Sequence, residues 1–159
     1  MELYLRPARR RDVAVCAALY NADPAFLLHH LGRDKVDEGF VEEELEEMDP
    51  AGFARLLIAE TPGGSPVALA DLRGGEEAYL SLLLVDKAAQ GRGLGRRCAA
   101  LLEQRLRAEG SRRIRIDVVD DHAGNPLPFW HRLGYRGNER VTLTWGDKTS
   151  SALVLRKEL

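Results

Sequence analysis

Tyr79-Leu80-Ser81-Leu82-Leu83-Leu84-Val85, followed four residues later by Gln90-Gly91-Arg92-Gly93-Leu94-Gly95, is the stretch whose reading decides the fold. The first seven residues have the length and near-continuous apolarity of a strand buried on both faces. The residues after the glycines read as a helix. Leu94, Cys98, Leu101, Leu102 and Leu106 recur at helical spacing, while Arg96, Arg97, Glu103 and Arg107 fall elsewhere on the wheel. Between strand and helix, a turn with three glycines lets backbone N–H groups point outward at the helix N-terminus. The partial positive charge there, about half a unit, favours an anion. The turn is therefore a candidate phosphate cradle.

Spacing narrows the choice of anion. A Walker loop requires GxxxxGK followed by Ser or Thr, and no lysine occurs between Lys87 and Lys148. A dinucleotide fingerprint places its third glycine at position 96, where Arg96 stands. The segment instead resembles the acyl-CoA signature of the GNAT (GCN5-related N-acetyltransferase) superfamily, a Gln or Arg followed by xxGxG. Gln90, Gly93 and Gly95 fill it here, with Val85 at the upstream place where the family usually has valine. Thirty residues on, Asn125-Pro126-Leu127-Pro128-Phe129-Trp130-His131-Arg132-Leu133-Gly134-Tyr135 is similar to the family's second motif, an Asn, a short helix with paired aromatics, then Leu-Gly-Phe. Its local chemistry agrees: Asn125 suits a helix N-cap, Pro126 the first helical position and Gly134 the C-terminal stop. The resemblance covers about residues 78 to 136.

Length and composition set bounds. At 159 residues the chain is expected to be one domain, spanning 1–159, with a core that needs no disulfide or metal. Cys16 and Cys98 lie on apolar helix faces and read as buried small hydrophobes of a reducing compartment. No apolar run approaches the ~18 residues of a membrane span, and the opening Met-Glu-Leu-Tyr-Leu-Arg lacks the apolar region of a signal peptide. We therefore expect a cytoplasmic protein with no membrane partner. A net charge of −2 and the lack of an aromatic stacking row argue against a nucleic-acid partner. Charge is nonetheless uneven. Residues 34–50 carry nine acids against Lys35, and residues 91–115 carry eight arginines against Glu103 and Glu109. Of the arginines, Arg92 and Arg96 fall within reach of the first helical turn, where a guanidinium can meet phosphate oxygens.

Along the chain, Leu3 to Arg6 reads as a strand, and Asp12 as the cap of a helix carrying Val13, Cys16, Ala17 and Tyr20. Residues 25–31 read as a short apolar stretch after a loop, and 35–48 as a second helix burying Val41, Leu45 and Met48. Phe53 to Glu60 and Pro66 to Arg73 flank a Gly-Gly turn as a hairpin. Next come the buried strand, the long helix, an alternating strand Ile114 to Val118 and the second-motif helix. A last hairpin pairs Tyr135 to Trp145 with Ala152 to Leu155 across Gly146-Asp147. The fold class expected is α/β in the α+β sense: a GNAT-like, mixed and mostly antiparallel sheet of about seven strands with helices on both faces.

The resemblance implies that the two central parallel strands splay and that the pantetheine arm of acetyl-CoA lies between them. The backbone of Leu83, Leu84 and Val85 would hydrogen-bond the arm. Gln90, Gly91, Arg92, Gly93, Leu94, Gly95 and Arg96 would hold the pyrophosphate, with Asn125, Phe129 and Trp130 near the distal arm. The reaction implied is direct acyl transfer from the thioester to an amine of a small molecule or peptide, with acetyl-CoA as donor and no metal; four scattered histidines lack ligand spacing. Many members carry Tyr after the Phe of the second motif as general acid, and this chain has Trp130, whose indole N–H is no acid near neutrality. Tyr135 is the phenol that would take its place. For the base, Glu77 at the start of the buried strand is one candidate. Asp120, Asp121 and His122 after the next strand are others, as are His29, His30 and His131. If the acidic helix borders the acceptor cleft, the acceptor is a cationic amine. The alternative reading is a non-catalytic acyl-CoA binding or sensing module. The last hairpin offers edges for a homodimer.

Overall fold

The computed structural model describes residues 2–159. Seven strands form one sheet: β1 (Tyr4–Pro7), β2 (Phe53–Ala59), β3 (Pro66–Arg73), β4 (Glu77–Val85), β5 (Arg113–Val119), β6 (Arg136–Trp145) and β7 (Lys148–Glu158). Their spatial order is β1-β2-β3-β4-β5-β7-β6, and only β4 and β5 run parallel. Five helices pack on the two faces. Helices α1 (Val13–Asn21), α2 (Pro24–Leu31) and α3 (Glu38–Met48) cover one face through Cys16, Tyr20, Leu27, Leu31 and Val41 over Leu57, Leu69 and Leu84. Helices α4 (Leu94–Ala108) and α5 (Leu127–Arg132) cover the other through Leu102, Leu106 and Trp130 over Leu80, Ile114, Ile116 and Leu155. Each fully buried Leu or Ile in these layers stabilises the fold by about 1.5–3 kcal/mol, so the core holds without disulfides.

The parallel pair is a fork. β4 and β5 pair only where Glu77, Ala78 and Tyr79 face Arg113, Ile114 and Arg115. Beyond that, β4 stays on β3 as far as Val85, and β5 stays on β7 as far as Val119. The two strands have separate partners on their outer sides, so each keeps its outer ladder as they diverge. A register shift between Asp71 and Leu72 against β4 skips Ser81, a bulge at the point where the fork opens.

Several expectations change in the structure. Residues 24–31 form a full helix, α2, capped by Asp23, whose carboxylate accepts from the Phe26 N–H at 3.2 Å, and stopped at Gly32 with φ of 85°. Asp12 does not cap α1. It is buried and accepts from Arg6 at 2.8 and 2.9 Å and from the Arg9 N–H at 2.7 Å, fastening the 3-10 turn before α1 to β1. β4 is not buried on both faces. Ala78, Leu80 and Leu84 are, while Leu82, Leu83 and Val85 remain half-exposed because they border the fork. Among the described residues no helix is long and apolar enough to cross a membrane.

Candidate active site

The fork opens into a cleft of about 1390 Å3 that runs from the glycine turn to α3. At one end stands the turn before α4. Gly93 is the helix N-cap and has φ of 74°, a conformation that a side chain strains, and it leaves the first N–H groups of α4 facing out. Gly95 has a different constraint: a Cβ there would lie 3.2 Å from the Phe129 ring, so α4 and α5 approach each other closely at this glycine. The Gln90 amide donates to the Val85 carbonyl at 3.1 Å and reaches the Asp23 carboxylate at 3.5 Å. It ties the turn both to the end of β4 and to the start of α2.

At the other end, α3 and β6 wall the cleft with Phe40, Glu43, Glu44, Glu47 and Trp145. Beneath this wall lies a buried network. Arg55, whose side chain is 0% exposed, donates to both oxygens of Asp71 at 2.7 and 2.8 Å, to the Tyr20 hydroxyl at 2.7 Å and to Glu44 at 3.1 Å. Tyr20 in turn donates to Glu44 at 2.9 Å, and the Trp145 indole N–H donates to the second Glu44 oxygen at 3.2 Å. Burial pushes the Glu44 carboxyl above its ordinary value, and the Arg55 guanidinium opposes that shift. The Tyr20 phenol is raised by the same burial. These contacts fix α3 and β6 against the sheet and engage both oxygens of Glu44.

Between the two ends, three histidines meet over the cleft. The His29 and His122 rings stack at 3.7 Å between centroids, and His30 meets His122 edge-on at 6.2 Å. His122 Nδ1 lies 3.2 Å from Asp121. Lys148 donates to the His29 carbonyl at 2.5 Å and to Asp121 at 3.3 Å. Helix α2, the loop after β5 and the start of β7 are thereby joined across the open end of the fork.

Of the residues expected at the donor site, the cleft is lined by Leu83, Leu84, Val85, Gln90, Gly91, Gly93, Leu94, Gly95, Arg96, Phe129 and Trp130. Two others fall outside it. Arg92 pairs with Glu60 at 3.2 Å. Asn125 is spent on its own loop: its amide donates to the His122 carbonyl at 2.9 Å and its oxygen accepts from the Leu127 N–H at 3.0 Å, so α5 starts one residue later than expected.

The two expected catalytic groups also lie elsewhere. Glu77 sits at the closed end of the fork, where its register partner is Arg113, and its carboxylate accepts from Arg156. Tyr135 is fully buried and donates to Glu103 at 2.8 Å. Burial, then the Glu103 charge, holds its phenol far above the ordinary value, so it is no proton donor for the cleft. Sequence reasoning does not single out the network of Tyr20, Glu44, Arg55, Asp71 and Trp145. Its signal is one charged residue inside each of two apolar strands, Arg55 and Asp71, which the β2–β3 register places opposite each other.

Comparison with known proteins agrees with this geometry. The chain is 29% identical over 155 residues to N-alpha-acetyltransferase 80 of Mus musculus. That match takes 91% of this chain and 44% of the mouse protein, so the chain spans less than half of that relative's length. An acetyltransferase from Thermus thermophilus superposes with a TM-score of 0.79 at 25% identity, over 100% of this chain and 98% of its own. A GNAT superfamily phosphinothricin acetyltransferase from Sinorhizobium meliloti, solved in complex with AcCoA, superposes with a TM-score of 0.71 at 15% identity, over 100% of this chain and 89% of its own. The profile of the Acetyltransferase (GNAT) family matches residues 6–135. An open seven-stranded sheet forked at its one parallel pair, a glycine cradle at the head of α4 and this match place the chain in the GNAT acetyltransferase family.

Proposed function

We propose that this protein transfers the acetyl group of acetyl-CoA to a cationic amine, on a small molecule or a peptide, by direct attack of the amine on the thioester. The observation that carries the donor half is the fork: unpaired inner edges of β4 and β5 lead from the glycine cradle into the cleft. An arm with amide groups of its own fits between such edges as a further strand would, and a pyrophosphate fits the N–H groups at Gly93 to Arg96. Acetyl-CoA supplies an activated acyl group whose thiol, with a pKa of about 8.5, leaves readily. That leaving group suits a cleft whose second-motif aromatic is Trp130 and in which Tyr135 has no part.

The acceptor half rests on charge. Glu43, Glu44 and Glu47 of α3 stand on the cleft wall beside Phe40 and Trp145, a surface that attracts ammonium groups by Coulomb and cation–π terms. The name of the mouse relative adds an α-amine to the acceptors worth assaying.

Thermal melts with and without acetyl-CoA test the donor: at about 100 times the dissociation constant, folding gains roughly 2.7 kcal/mol. Thiol release is then followed with spermidine, an aminoglycoside, a lysine-containing peptide, a peptide with a free α-amine and a neutral aromatic amine. We expect a clear upward melt and faster release with the cationic amines. An unshifted melt sinks the reading. A shifted melt with no release from any amine leaves a binding module instead.

A further inference from the structure

Acyl transfer to an amine at neutral pH needs a group that removes an ammonium proton, and of the six carboxylates lining the cleft four are already committed. Glu44 accepts from Tyr20, Arg55 and Trp145. Asp71 holds Arg55 on both oxygens, and Asp117 holds Tyr79 at 2.8 Å and Arg115 on both of its own. Asp23 caps α2. Glu43 and Glu47 are exposed to water on α3.

The geometry points to His30 as the general base of this reaction, an inference that rests on the acetyl-transfer reading above. His30 lines the cleft, half-buried near the end of α2. Its Nδ1 lies 2.9 Å from the Phe26 carbonyl. A carbonyl only accepts, so Nδ1 carries the ring hydrogen and Nε2 keeps its lone pair. Nε2 has no hydrogen-bond partner among the described residues. The ring is held in place by stacking on Phe26, 4.3 Å between centroids, and by the edge contact with His122. This is a base of fixed tautomer and orientation with its acceptor atom free.

The titratable groups packed around His30 come from α2, the loop after β5 and β7. His29 lies beside it on α2, His122 and Asp121 come from the loop after β5, and Lys148 comes from β7. Burial, aided by His122, Lys148 and His29, holds the imidazole below its ordinary value against the pull of the Phe26 carbonyl. Asp121, the acid of this group, is itself bound to His122 and Lys148.

In the step assigned here, His30 Nε2 takes one proton from the bound ammonium. The freed lone pair forms the C–N bond at the thioester carbonyl carbon, and the C–S bond breaks as the carbonyl re-forms, sulfur leaving with the electron pair. A second proton from nitrogen goes to that sulfur, and His30 returns its proton to water. Ammonium and thioester thus give amide, thiol and one proton.

The test follows kcat and KM against pH with the fastest cationic amine of the panel. His30→Ala is expected to lower kcat by about 10²–10⁴-fold, abolish the acid-side inflection and regain part of kcat with added imidazole. The acetyl-CoA melt shift should be retained. His122→Gln is expected to keep the inflection. Nitrogen NMR of labelled protein reads the tautomer without any acceptor: His30 should be neutral with its hydrogen on Nδ1 at pH 7. An inflection that survives His30→Ala, disappears with His122→Gln, or an Nε2–H tautomer overturns the assignment. Absence of thiol release by the wild type with every amine overturns acetyl transfer itself, and is distinguishable because the NMR reading stands apart from turnover.

Discussion

Gly95 shows how little room single positions leave in this cleft. Its hypothetical Cβ meets the Phe129 ring at 3.2 Å, and that half-buried ring can yield a few tenths of an ångström. Gly95→Ala should therefore cost only about 1 kcal/mol of stability, at the low end of overpacking. The displaced ring narrows the cleft beside the cradle, so the dissociation constant for acetyl-CoA should rise about tenfold, a change of ~1.4 kcal/mol that calorimetric titration reads. Arg55 is the opposite case, a residue whose removal leaves charges behind. Arg55→Met strands Asp71 and Glu44 without their guanidinium and should destabilise by about 3–5 kcal/mol in urea unfolding. Glu44 adds a dependence on pH. Its folded value is raised by burial, so the folded state binds the proton more tightly than the unfolded chain. Stability from this group is fully present below the unfolded value and declines as pH rises to the folded one. Unfolding free energies of wild type minus Glu44→Gln should fall over that interval and then level. At this scale the sequence motif locates the glycines and Phe129. Glu77 and Tyr135 are candidates only by position along the chain, and position cannot show that Arg156 and Glu103 occupy them.

Among the elements, the central strands and the long α4 can be read from apolar runs and helical periodicity because each buries a run of apolar side chains. α2 cannot. Its start and stop signals, Asp23-Pro24 and Gly32, are in the sequence, but eight residues that are apolar almost all round give no periodic stripe. β4 misleads in the other direction: a strand bordering a ligand-sized gap has the same apolar composition as one bordering another strand. α5 is short, and a six-residue helix depends on its lead-in rather than on its own hydrogen bonds. Asn125 supplies that lead-in by joining the His122 carbonyl to the Leu127 N–H. Asn125→Ala should lower stability by about 1 kcal/mol and loosen the loop that carries both His122 and the approach to Phe129. We expect the KM for acetyl-CoA to rise in steady-state assays while a hydrogen-exchange map of α1 stays unchanged. An unaltered KM would mean that α5 is held by packing of Trp130 and Leu127 alone.

The whole molecule is two half-sheets, β1-β2-β3-β4 and β5-β7-β6, hinged on a parallel ladder three residues long. Ties outside that ladder also span the split: α4 and α5 pack across it on one face, on the other α2 reaches His122 and Lys148 and Glu44 of α3 holds Trp145 of β6, and near the closed end Tyr79 donates to Asp117. The inner edges of β4 and β5 past Tyr79 and Arg115 have no strand between them, so their inward N–H groups are protected by neither half. Such groups exchange hydrogen readily, while amides in the β2–β3 ladder open only with larger unfolding. A donor whose arm lies in the fork replaces the missing strand. Saturating acetyl-CoA should therefore slow exchange selectively at residues 80–85 and 116–119 and in the cradle at 91–96, by a factor that grows with ligand concentration. Free CoA, which keeps the arm and the phosphates, should protect the same residues. Adenosine 3′,5′-bisphosphate, which lacks the arm, should leave 80–85 and 116–119 exchanging at the unliganded rate. Protection of the fork by the bisphosphate would show instead that the half-sheets close on their own when α4 is capped, and that the gap is a hinge rather than a seat for the arm.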